Sequence, residues 1–171
     1  VLLSLMLSSV AIGTVTTMTS THWVMAWVGL ELNTLAIIPI ITKHHHPRST
    51  EATTKYFLTQ AAASATLLFA VTMNAWTTGM WDMTQLTNPT ACLMFTMAAS
   101  MKLGLAPLHF WLPEVLQGVP MTTALIITTW QKLAPMALML MTYNSLNPSV
   151  LMTIGLISTL TGGWGGLNQT Q

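Results

Sequence analysis

Lys102 and Lys132 each stand near the middle of an apolar stretch long enough to cross a lipid bilayer. A helix on the surface of a water-soluble protein would carry such a lysine on its polar face or at an end. At bilayer depth a charged side chain costs about 2.5–3.5 kcal/mol on insertion scales. It is tolerated where it faces the interior of a bundle, pairs, or touches water. Glu31 poses the same question in Trp27-Val28-Gly29-Leu30-Glu31-Leu32-Asn33, near the centre of another apolar run. The fold must therefore bury three ionisable groups near the membrane midplane.

Lipid as the solvent follows from the scarcity of charge. Only 5% of the 171 residues are charged and 52% are hydrophobic, whereas soluble domains carry roughly 25% charged residues. A net charge of +1 gives nucleic-acid binding no electrostatic basis. One cysteine, Cys92, excludes an internal disulfide, an iron–sulfur cluster and a cysteine zinc site from this chain. The 14 methionines read as flexible apolar filler. The chain starts at Val1 inside an apolar run and stops at Gln171 after a glycine-rich stretch, which reads as a piece of a longer protein.

The apolar runs predict an all-α, polytopic transmembrane bundle of about six spans forming a single membrane domain over residues 1–171. The first spans cover residues 1–19 and 22–42. The polar run from Lys43 to Glu51 follows, and Ser49 or Thr50 is the expected cap of a third helix reaching about Trp76. Glu51 and Lys55 are four apart, in the favourable order for an intrahelical pair. Residues 77–90 form a loop, and a fourth span starts near Ala91. Pro107 frees the carbonyl of Leu103, so that span is discontinuous around residues 102–113, and residues 114–119 turn the chain. A fifth span runs from Pro120 to about Tyr143, and Pro135 frees the carbonyl of Gln131. A sixth covers about residues 149–160, ended or loosened by the glycines from Gly162 to Gly166. The basic loop at 43–51 marks the cytoplasm-like side, shared with residues 113–119. His44, His45 and His46 read as part of that polar loop, since three consecutive residues cannot all face one ion on a helix.

Helices broken beside a midplane charge are a transporter device, and the chemistry that Glu31, Lys102 and Lys132 permit is a proton relay. Burial disfavours an ammonium and a nearby carboxylate favours it. Lys102 beside Glu31 would hold its proton, and Lys102 away from Glu31 would pass it to Lys132 through ordered water. A static Glu–Lys pair that only joins helices is the simpler alternative, weakened by the third charge. Two further residues are candidates for the relay. His109 is either a relay or a packed interfacial residue, and Glu114 either opens a proton inlet or sits in solvent. Asn33 and Gln131 stand next to charges and could order water. Lys55, near a helix start, is expected to snorkel.

Several motifs together carry a resemblance. They are the Glu31 segment above, Lys55-Tyr56-Phe57-Leu58-Thr59-Gln60, Met101-Lys102-Leu103-Gly104-Leu105-Ala106-Pro107-Leu108-His109-Phe110-Trp111-Leu112-Pro113-Glu114, Thr129-Trp130-Gln131-Lys132-Leu133-Ala134-Pro135 and Gly162-Gly163-Trp164-Gly165-Gly166-Leu167-Asn168-Gln169-Thr170-Gln171. The chain resembles the mitochondrially encoded subunit 2 family of NADH dehydrogenase, the antiporter-like membrane subunits of respiratory complex I, in a vertebrate-like form. The resemblance implies a proton-translocating module of the mitochondrial inner membrane, with Glu31, Lys102 and Lys132 as its relay. It implies a second, inverted half beyond this sequence. It also implies other complex I subunits as partners, including neighbouring antiporter-like ones. NADH, FMN, iron–sulfur clusters and ubiquinone are expected elsewhere in the assembly, because this chain has no phosphate-binding glycine loop and no cysteine cluster. A cation/proton antiporter subunit and a non-conducting scaffold are the rival readings.

Overall fold

The computed structural model describes residues 2–43, 46–83 and 85–168, and His44 and His45 of the polar loop lie outside them. The described residues fold into helices joined by short turns. In order these are α1 (Leu2–Thr19), α2 (Trp23–Thr42), α3 (Pro47–Thr78), α4 (Pro89–Leu103), α5 (Trp111–Gln117), α6 (Met121–Thr128), α7 (Trp130–Met141) and α8 (Pro148–Leu167). Four segments are long and apolar enough to cross a membrane: α2, α3, α6 with α7, and α8. They stand for four of the six expected spans; α1, which is shorter, and the pair of α4 and α5 occupy the positions of the other two.

Local chemistry sets the ends of these helices. The His22 side chain caps α2 by accepting from the Val24 amide. The His46 side chain caps α3 by accepting from the Arg48 amide, and Pro47 takes the first helical position. The cap is therefore His46, not Ser49 or Thr50, whose hydroxyls donate to the carbonyls of His46 and Pro47 at 2.8 Å each. The 32 residues of α3 span about 48 Å at 1.5 Å per residue, more than the roughly 30 Å of hydrocarbon. Gly79 closes α3 with φ at 72°, its amide reaching the carbonyl of Ala75 at 2.8 Å. The loop after it hangs on the buried Asn74, whose amide donates to the carbonyl of Gln85 at 2.7 Å.

Three expected boundaries are corrected. Residues 111–117 are the helix α5, so the chain turns over 118–120 rather than 114–119. The fifth span is split at Thr129 into α6 and α7, and the Lys132 amide reaches back only three residues, to the Thr129 carbonyl at 3.2 Å. The glycine run from Gly162 to Gly166 does not end the last span: α8 passes through it to Leu167. In lipid the backbone has no water to bond instead, so glycine does not break a helix there as readily as in solution.

Packing divides the bundle by depth. One apolar core gathers Trp23, Leu30, Leu67, Phe95 and Leu138, with Trp23 meeting Phe95 edge-on at 5.4 Å. A second gathers Ile37, Ile41, Tyr56, Trp111 and Ile127. Between the two, along α2, α3, α4 and α7, lie Asn33, Gln60, Lys102 and Gln131. The helices α1 and α2 approach closely because Gly13 and Gly29 lack side chains. A Cβ on Gly29 would meet Thr16 Oγ1 and Thr17 Cγ2 at 2.6 Å, and one on Gly13 would meet Asn33 Oδ1 at 2.4 Å.

Candidate functional site

The polar layer between the two cores encloses a cavity of about 10 Å³, room for about one water molecule. Lys102 from α4, Lys132 from α7, Asn33 and Thr34 from α2, and Gln60 from α3 line it. Lys102 stands one residue before the end of α4 and is only 5% exposed. Among the described residues its Nζ has no hydrogen-bond partner. An ammonium so placed is expensive to desolvate unless something polar reaches it.

The helix break supplies the setting for Lys132. Pro107 has no amide proton to give the Leu103 carbonyl, and α4 ends there. Gly104 turns the chain at φ 69°, a conformation that favours glycine. Lys132 Nζ donates to the freed Leu103 carbonyl, tying α7 to the broken end of α4. The same ammonium lies 5.3 Å from the centre of the Trp111 ring, within cation–π range. Trp111 in turn donates from its indole nitrogen to the Met101 carbonyl at 3.1 Å, across the break. Gln131 donates to the backbone carbonyl of Asn33 at 3.1 Å, joining α7 to α2.

Glu31 is half-buried and does not line the cavity. Among the described residues no ion pair joins it to Lys102. Its Oε2 instead accepts from the Thr34 hydroxyl at 2.7 Å, and Thr34 does line the cavity. The hydroxyl partner of the carboxylate thus shares a cavity wall with the two lysines. His109 lies in the turns between α4 and α5, stacked on Phe110 with ring centres 4.7 Å apart, and its buried Nδ1 has no partner among the described residues. Glu114 is exposed, its side chain 55% accessible, in line with the solvent reading. It pairs with Lys55 at 2.8 Å, and Lys55 also pairs with Glu51 at 2.8 Å, as the four-residue spacing predicts. Lys55 therefore does more than snorkel, since it bridges two carboxylates from different helices.

Sequence reading missed Thr34 and Trp111. A threonine three residues after a midplane glutamate was an available signal, because i and i+3 share a helix face. Trp111 had none, since its approach to Lys132 depends on how the broken helix folds back.

Comparison with known proteins points the same way as the site. The profile of the NADH:quinone oxidoreductase/Mrp antiporter transmembrane family matches residues 20–171. Relatives named NADH-ubiquinone oxidoreductase chain 2 are 62% identical in Oncorhynchus mykiss and 59% identical in Carassius auratus, each over 99% of this chain. The alignment covers 48% and 49% of those relatives, so the chain spans about half their length. A chain of respiratory complex I from Thermus thermophilus superposes with a TM-score of 0.89 at 27% identity, over 98% of this chain and 40% of that one. An archaeal membrane-bound sulfane sulfur reductase shares the fold, with a TM-score of 0.71 at 18% identity, over 89% of this chain and 34% of that one. The broken helix with its lysines and the match over nearly the whole sequence place this chain in the NADH:quinone oxidoreductase/Mrp antiporter transmembrane family.

Proposed function

We propose that this chain is the first half of an antiporter-like membrane subunit of mitochondrial complex I, and that Glu31, Lys102 and Lys132 pass protons through it. The single observation behind this reading is the buried Nζ of Lys102, unpartnered among the described residues, sharing a water-sized cavity with Lys132. A lysine whose only purpose was to join helices would have a partner. Glu31 acts through Thr34. When the carboxylate approaches the cavity it favours the charged form of Lys102, and when it withdraws the proton moves to Lys132 through bridging water. Lys132 receives it at the break, where the Leu103 carbonyl and the Trp111 ring already stabilise a cation.

On this reading the subunit sits in the mitochondrial inner membrane among other complex I subunits, including neighbouring antiporter-like ones. Electron transfer from NADH to ubiquinone drives it from elsewhere in the assembly, where FMN and iron–sulfur clusters reside. The described residues form one membrane domain, and a second, inverted half in the remaining length of the relatives would complete the proton path. Replacing Lys102→Met in the full-length chain within the assembled complex is expected to abolish proton movement driven by NADH oxidation while assembly persists. Undiminished pumping by that variant defeats the relay. The family description also includes antiporters, and sodium-dependent transport would move the reading to that branch.

A further inference from the structure

The relay needs a way in, and the seam between α3 and α5 has the parts of one. At its outer end an open cleft of about 220 Å³ is lined by Arg48, Glu51, Lys55 and Glu114, close to the start of α3. Gly118 lets the end of α5 lie directly on α3: a Cβ there would meet the Arg48 carbonyl at 2.7 Å and the Ala52 Cβ at 2.6 Å. About two turns from the contact of Arg48 with Gly118 along both helices stand Tyr56 on α3 and Trp111 on α5, 1% and 6% exposed, edge to face at 5.8 Å. Both also line the cavity that holds Lys102 and Lys132. These two aromatic side chains, packed with the buried Val115 of α5, thus belong both to the seam and to the wall of the lysine cavity.

The helix α5 that carries Trp111 has only seven residues and no side-chain cap at its start. It is too short to hold its own place. The polar fastening between it and α3 is the ion pair of Glu114 with Lys55, and Lys55 is further held by Glu51. We infer, on the relay reading above, that Lys55 is a positioning residue: through Glu114 it keeps α5 seated on α3, and so keeps Tyr56 and Trp111 closed over a gated water path to the relay. Exposed ion pairs are weak, so the fastening opens and recloses readily. A permanently loosened seam admits water to Lys132 out of step with the driving reaction, and protons leak.

The test uses the full-length chain in the assembled complex in sealed vesicles, measuring protons moved per NADH oxidised. Lys55→Met and the isosteric Glu114→Gln are each expected to lower that ratio, by no more than about two-fold, since an exposed ion pair is a weak fastening. NADH oxidation should not slow, and Lys55→Arg, which keeps the charge, should restore the ratio. An unchanged ratio in both charge-removing variants overturns the inference, and so does a loss that Lys55→Arg fails to restore. Failure here with pumping still abolished by Lys102→Met would leave the relay standing without this gate. Retained pumping in Lys102→Met would remove the relay itself, whatever Lys55 does.

Discussion

The helices α2 and α8 are each 20 residues long and apolar enough to span a membrane, yet they occupy opposite situations. Ten residues of α2 are buried, and of α8 only Ile154 is. Of the polar residues of α2, Asn33 and Thr34 turn into the bundle. Both helices carry glycine, but Gly29 presses against α1 while Gly155, Gly162, Gly163, Gly165 and Gly166 have nothing within 4 Å of where a Cβ would stand. Hydropathy identifies a span and says little about which spans form the interior. In lipid the apolar side chains of either helix are equally well solvated, so close packing and polar contacts decide what comes together.

Matched substitutions on the two helices test that contrast. Trp23→Ala on α2 should have the largest effect. It removes a ring that is 1% exposed and packed on Phe95, at about 3–5 kcal/mol, read as loss of thermal stability in detergent. Next comes Gly29→Ala, where the added methyl collides with two threonines and a backbone carbonyl of α1. Overpacking of this kind costs about 1–3 kcal/mol, and parting of α1 from α2 should accompany it. Gly163→Ala on α8 should go the other way, raising helix stability by less than the about 1 kcal/mol this exchange gives in water, since the methyl meets open space. Smallest of all is Trp164→Ala, at a side chain 79% exposed, where a change within about 0.5 kcal/mol is expected of this 171-residue chain. In a chain of the relatives' full length, a much larger cost for Trp164→Ala would show that α8 becomes an interior helix once the remainder is present. An equally small cost would make its exposure permanent.

How much of this was legible in sequence depended on whether the cause was local. Lysines inside apolar runs announced the membrane bundle, and Pro107 announced both the end of α4 and the freed carbonyl of Leu103. Which donor would take that carbonyl was not legible, because Lys132 lies 29 residues further on. The break at Thr129 was likewise hidden. Pro135 is tolerated inside α7, and the discontinuity falls a turn and a half before it. The ion-pair partner of Glu114 was hidden because it is on another helix, and His46 was passed over as a cap because serine and threonine are the commoner residues there. Residues 162–166 misled for a different reason: glycine's habit of ending helices was learnt in water.

On the proposed relay, the bond between Lys132 and the Leu103 carbonyl would make a mechanical joint out of a charge carrier. A charged donor bonds roughly twice as strongly as a neutral one, so the grip of α7 on the severed end of α4 tightens when a proton is in residence and slackens when it departs. Every passage of a proton along such a route would then be felt as a change of stiffness at the hinge, which is a form in which one stretch of membrane protein can notify the next.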